Sequence, residues 1–67
     1  MKKSYILKDI IFNCYFMDMY CDGWTPLASC AHKYDTLKDA RSAAHRVAKI
    51  AHIKLKNIKI IELLSED

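Results

Sequence analysis

TLKDARSAAHRVAKIAH, residues 36–52, is the one stretch of this chain whose periodicity clearly predicts a helix. At about 100° per residue, its apolar side chains fall on one face. These side chains are Leu37, Ala40, Ala44, Val47, Ala48 and Ala51. The opposite face forms what we call the basic stripe, which consists of Lys38, Arg41, His45, Lys49 and His52, with Arg46 on its edge. One face is therefore suited to packing on a sheet, and the other is suited to solvent or to an anionic partner.

The two ends of this helix carry different signals. Thr36 can cap the first turn by accepting a hydrogen bond from the Asp39 N–H. The Asp39 carboxylate can in return accept the Thr36 N–H, as in a capping box. No glycine follows the helix. We therefore expect the helix to end between residues 51 and 56, with Asn57 in the left-handed conformation. Residues 58–64 predict a last strand.

The chain before the helix is predicted to be mostly strand. Residues 4–21 are rich in Tyr, Ile, Phe and Cys and contain neither Gly nor Pro. Lys8-Asp9 is the only polar pair suited to a turn, which gives a hairpin of residues 4–7 and 10–20. One long, bent strand is the alternative. Alternation in the second run predicts a face toward the helix that comprises Ile10, Phe12, Cys14 and Phe16. The other face comprises Ile11, Asn13, Tyr15, Met17 and Met19.

The order of these elements predicts an α+β fold. Asp22-Gly23 is a turn dipeptide, and residues 28–34 predict a short third strand or an extended segment. We expect a small antiparallel sheet of three to four strands, in the order ββ(β)αβ, with one helix packed across one face. A chain of 67 residues makes a single domain, residues 1–67, with one thin core.

Size and composition argue against an enzyme. A domain this small leaves little room for a deep cleft, and no catalytic motif stands out. The three cysteines, Cys14, Cys21 and Cys30, are an odd number, which favours free thiols in a reducing cytoplasm. Only Cys30 and His32 are spaced as closely as zinc ligands usually are, so we expect neither a metal nor a cofactor. No apolar run is long enough to span a membrane, and we expect a cytoplasmic location without a membrane partner.

A second apolar surface is predicted on the sheet. Tyr15, Met17 and Met19 share the hairpin face that points away from the helix, and Trp24 lies nearby in the sequence. Tyr, Trp and Met are enriched in protein interfaces. The pattern predicts either an exposed surface for a homodimer or another partner, or a face that the chain covers itself.

Several short sequence motifs carry a resemblance to a known group of proteins. They are GWTP at residues 23–26, YDT at residues 34–36 and NIKIIEL at residues 57–63, together with the tyrosine-rich hairpin and the alanine-rich helix. In this layout the chain resembles many small ββαβ proteins of bacteriophages. The resemblance implies an accessory protein that binds and inhibits a host or defence protein. The basic, histidine-bearing helix and the scarcity of glycine in the first hairpin are departures from that group.

The charge distribution indicates how such a partner would be bound. The net charge is +3, and residues 33–59 carry eight Lys or Arg against two Asp. We expect the basic stripe to meet an acidic surface of a host or defence protein. The alternatives are a nucleic-acid-binding protein that uses the same stripe, and an ordinary solvated helix face.

Overall fold

Two long antiparallel strands form the main part of the sheet. The computed structural model describes residues 2–17 and 23–65. Its elements in chain order are β1 (Lys2–Asp9), β2 (Cys14–Phe16), β3 (Trp24–Thr25), a 3-10 turn (Ala28–Cys30), α1 (Leu37–Ile50), a second 3-10 turn (Leu55–Asn57) and β4 (Ile58–Ser65). The four strands form one antiparallel sheet in the order β3-β2-β1-β4. This confirms the α+β fold, with one helix on a small antiparallel sheet.

The long ribbon of β1 and β4 positions everything else. The two strands pair along their full length, from Lys2 opposite Ser65 to Asp9 opposite Ile58. The pairing of β2 with β1 is much shorter, because β2 leaves β1 after Tyr15. Residues 32–34 take over that edge, with Tyr5 and Tyr34 exchanging backbone hydrogen bonds of 2.9 and 2.8 Å. The predicted strand within residues 28–34 therefore begins as a turn, and only its end is extended.

The helix packs on the sheet through small side chains. Ala40, Ala44 and Val47 are buried, as the periodicity predicts, and Ala43 is buried beside them. They form one core with sheet residues that include Leu7, Phe16 and Ile58. Because alanine has so little bulk, the helix and the sheet can approach closely. The predicted face is wrong at its ends, since Leu37 and Ala51 are exposed where the helix extends beyond this contact.

Both ends of α1 have identifiable stops. The Thr36 hydroxyl oxygen accepts the Asp39 N–H at 3.1 Å, which confirms the predicted N-cap. At the other end, His52 has φ of 57° and the Ile53 N–H donates to the Ala48 carbonyl at 2.9 Å. This is the hydrogen bond of a Schellman motif. The prediction that Asn57 takes the left-handed conformation is wrong. The left-handed residue is His52, five positions earlier, and the helix ends at Ile50, one residue before the predicted range. Ile53 then folds back against the core.

The N-terminal residues form a hairpin, but its turn is not where the sequence predicts it. Lys8 and Asp9 belong to β1, and residues 10–13 make the turn. Ile10 and Phe12 are therefore exposed, in contrast to their predicted position facing the helix. Of the other two residues assigned to this face, Phe16 is confirmed in the core and Cys14 is half-buried. In the part of the chain that the structure describes, no helix is long and apolar enough to cross a membrane.

Candidate functional site

The hairpin turn presents three consecutive apolar side chains to solvent. Ile10 is 50% exposed, Ile11 63% and Phe12 75%. We call these three residues the apolar turn. Most exposed apolar side chains on protein surfaces are scattered singly, whereas contiguous ones usually mark an interaction surface.

A buried carboxylate holds the apolar turn in place. Asp9 is only 2% exposed, and its Oδ1 accepts the N–H groups of Ile11 at 2.8 Å and Phe12 at 3.3 Å. The Ile10 N–H donates to the Asn57 carbonyl at 3.0 Å, and Asn13 closes the turn with φ of 58°. An Asp side chain that caps the amides two and three residues ahead is a strong local turn former. The exposed side chains are therefore fixed on a braced backbone.

Two shallow grooves flank the apolar turn. One has a volume of about 400 Å³ and separates Ile11 and Phe12 from residues 52–57. The other has a volume of about 430 Å³, lies on the opposite side of Phe12 and is walled by Trp24 and Ile53. Both grooves lie between the apolar turn and the C-terminal end of α1. Phe12 and Ile53 line both grooves, so the Phe12 side chain stands between the two hollows.

Two lysines and a histidine border the first of these grooves. His52, Lys54 and Lys56 line it, and all three are exposed. Among the described residues, Asp9 is its only acidic lining residue, and that carboxylate is turned toward the backbone of the turn. The edge of the apolar turn is consequently positive, which favours a partner that carries carboxylates or phosphates around an apolar centre.

The basic stripe is exposed along α1, as predicted. All six of its residues are exposed. In residues 2–17 and 23–65 the ion pairs are Lys2 with Asp35 at 4.0 Å and Lys3 with Glu62 at 3.6 Å, so neither uses the stripe. The stripe is not one straight row, however. The left-handed conformation of His52 takes it out of helical register and places it in the groove beside Phe12.

Arg46 also departs from the rest of the stripe. It lines a small hollow of about 110 Å³ together with Phe16, Ala43, Val47 and Tyr34. Burial raises the pKa of the Tyr34 phenol above its ordinary value, and the positive charge of Arg46 partly opposes this shift. Arg46 therefore faces the β2 side of the molecule. The residues left on the outer face of the helix are Lys38, Arg41, His45 and Lys49.

The predicted apolar surface on the sheet is divided between two faces. Trp24 lies opposite Phe16 on the helix side of the sheet. The two rings meet edge to face, with 5.8 Å between their centres. Tyr15 lies opposite Thr25 on the far side, where the Lys8 ammonium sits 5.5 Å from its ring centre. Met17 is half-buried at the end of β2. Met19 lies outside the described residues. The grouping of Tyr15 with Trp24 is therefore wrong. Trp24 shares a face with Phe16, and Tyr15 precedes Phe16 in the same strand and so points to the opposite face.

The cysteines form no cluster in the described chain. Cys14 is half-buried and its thiol donates to the Phe12 carbonyl at 3.4 Å, whereas Cys30 is exposed. Cys21 lies outside the described residues. His32 packs its ring against Tyr34, with 4.6 Å between the ring centres. Among the residues that the structure describes, no three His, Cys, Asp or Glu side chains are grouped so as to hold a metal ion.

Sequence reasoning identified the basic stripe but missed the apolar turn. Its Ile-Ile-Phe run has strong strand propensity, which predicts Ile10 and Phe12 on the core face and Ile11 on the other face. The signal that could have located the turn is the pair of flanking residues, Asp9 and Asn13, since Asp and Asn are the residues that cap and close short turns. No protein-family model, curated protein or solved structure matches this chain.

Proposed function

We propose that this chain is a small non-enzymatic protein-binding module. In this proposal it acts in the host cytoplasm as a phage-type accessory protein that docks on and inhibits or modulates a host or defence protein. The observation that carries the proposal is the braced, exposed apolar turn beside the cationic C-terminal end of α1. The resemblance to phage accessory proteins supplies the class of partner.

The apolar turn is large enough to act as an anchor. Fully burying an Ile or Phe side chain is worth about 1.5–3 kcal/mol, so covering the exposed parts of Ile10, Ile11 and Phe12 is worth about 3–5 kcal/mol. Interfaces commonly take most of their affinity from a few such residues in a desolvated centre. The bonds from Asp9 reduce the ordering cost on binding, because the turn already has its bound shape.

The cations define the chemistry of the partner surface. Lys54 and Lys56 border the apolar turn, and Arg41 and Lys49 continue the positive surface along the helix. A complementary surface has an apolar pocket for Phe12 with Asp or Glu side chains around it. Such charges accelerate association and fix orientation, while the apolar centre supplies most of the affinity.

The second candidate function is nucleic-acid binding through the basic stripe. The observation that favours it is the exposed row of Lys38, Arg41, His45 and Lys49, which takes no part in the ion pairs of the described chain. Phosphate contacts of this kind lose affinity steeply and linearly with the logarithm of salt concentration. Such phosphate contacts do not involve the apolar turn, so the two functions differ in which substitutions weaken binding.

A capture experiment with nuclease-treated bacterial lysate tests the proposal. Immobilised wild-type protein should retain a specific host protein, and Phe12→Ser should weaken its retention about tenfold. Leu64→Ser is the matched control, because Leu64 is also exposed (57%) but lies at the far end of the sheet, opposite Lys3. Arg41→Glu with Lys49→Glu should mainly slow association.

The opposite pattern would favour the second candidate. Binding of added random DNA or RNA is measured separately. Binding that persists above about 0.2 M salt, is lost in the Arg41→Glu, Lys49→Glu variant and is unchanged by Phe12→Ser would promote nucleic-acid binding. Equal effects of Phe12→Ser and Leu64→Ser on protein capture would remove the apolar turn from the site.

A further inference from the structure

The outer edge of β4 is the longest exposed strand edge of the described sheet. β4 is the last strand in the order β3-β2-β1-β4, and it pairs with β1 on one side only. In the described chain, residues 59–65 make none of the backbone hydrogen bonds that join loops and turns. The other edge strand, β3, has only two residues. The backbone groups along the outer side of β4 are therefore open to another strand.

Apart from a single lysine, Lys59, this edge lacks the features that usually prevent pairing. β4 has eight residues, contains neither Pro nor Gly, and keeps an unbroken register with β1 without a bulge. Its charged residues, Lys59 and Glu62, cancel. Natural sheets protect long edges with prolines, bulges, lysines or short strands, because such edges pair readily with other chains.

We propose that a second copy of this chain pairs with β4, so that two sheets join into one eight-stranded antiparallel sheet around a two-fold axis. Charge complementarity favours a second copy at this edge. The chain as a whole has a net charge of +3, and its exposed helix face is basic, so most contacts between copies are repulsive. β4 carries no net charge, because Lys59 and Glu62 cancel, so its edge adds no net charge repulsion between two copies.

The register of this pairing follows from the sequence of β4. Directly opposed residues of antiparallel strands lie on the same face, so residues of equal parity must pair. Two centres then give the longest ladder, Ile61 and Glu62. Centring on Glu62 opposes two like charges directly, which is destabilising. Centring on Ile61 pairs residues 58–64 of one copy with residues 64–58 of the other.

This register covers exposed apolar surface and leaves the candidate docking surface open. Leu64, which is exposed, comes to lie opposite Ile58 of the second copy, and Ile61 faces its own counterpart. The apolar turn lies at the Ile58 end of β4, next to Asp9, so the antiparallel arrangement carries the two turns to opposite ends. Dimerisation is therefore independent of docking through the apolar turn.

Sedimentation velocity over about 10 µM to about 1 mM protein tests the pairing. A single strand-to-strand contact buries less than a standard interface, so we expect a weak, reversible dimer at the upper end of this range. Ile61→Lys places like charges at the two-fold axis and should raise the dissociation constant about tenfold. Ile61→Thr is the control, because threonine suits a strand and adds no charge. Circular dichroism checks that both variants fold.

Amide hydrogen exchange identifies the surface even if Ile61→Lys fails to fold. In the wild-type protein, alternate amides of residues 59–65, those that point away from β1, should become protected as the concentration rises. A strict monomer at about 1 mM would overturn the proposal. So would a dimer whose outer β4 amides stay unprotected, or one that Ile61→Lys leaves unchanged.

Discussion

Asp9→Ala tests most directly how the apolar turn is held. The nearly buried Asp9 carboxylate accepts two amides of the turn, from Ile11 at 2.8 Å and Phe12 at 3.3 Å. The substitution removes both bonds and leaves the amides to compete for water. A hydrogen bond to a charged group contributes about 1.5–3 kcal/mol, and the second bond is long while both amides are only partly buried. We expect the free energy of unfolding to fall by about 2–3 kcal/mol.

Urea unfolding followed by circular dichroism measures this loss. A domain of this size has a total stability of about 3–10 kcal/mol, so the loss should lower the urea midpoint by about 1–2 M with an unchanged slope. Asp9→Asn is the matched control, because its amide oxygen can still accept the turn amides. This variant should retain more than half of the free energy of unfolding that Asp9→Ala loses. A midpoint for Asp9→Ala equal to that of the wild type would refute the reasoning. The turn would then be held by its other contacts.

Two further predictions concern the core and its pH dependence. Val47→Asp places an unpaired charge between helix and sheet and should unfold the domain, whereas Ser42→Asp on the exposed face should leave the circular dichroism spectrum unchanged. Equal folding of both variants would contradict the helix faces. Burial raises the pKa of Tyr34, so the fold favours the neutral phenol, and this stabilisation is lost as pH rises through the raised pKa. The melting temperature should therefore fall less between about pH 9 and pH 11 in Tyr34→Phe than in the wild type, and an identical fall would contradict this assignment.

The elements that the sequence predicted well are those set by local periodicity. The face of α1 that contains Ala40, Ala44 and Val47 follows directly from the 3.6-residue repeat. β4 was predicted within one residue, because its aliphatic run follows the helix after a short connection. The N-cap at Thr36 is likewise formed by a local hydrogen bond, which the residues at the start of the helix predict.

The features that the sequence did not predict depend on one side chain overriding a propensity. Ile10, Ile11 and Phe12 favour a strand, yet the Asp9 carboxylate diverts their backbone into a turn. His52 replaces a glycine at the helix end because Ile53 gains a place against the core. Trp24 joins the helix side of the sheet through its pairing with Phe16. The first outcome is decided by a local hydrogen bond and the other two by packing or pairing, and periodicity alone contains none of these.

The order in which the strands are synthesised has a consequence for folding in the cell. β1 is made early, but its full-length partner is β4, and their pairing closes loops of roughly 50–60 residues. Closing a flexible loop of that length costs about 3–4 kcal/mol in chain entropy before any strand contact forms. Until β4 leaves the ribosome, α1 has only part of the sheet to cover, and β1 has one open side. The folding of this domain should therefore wait for β4, and its rate should be set by the meeting of β1 and β4.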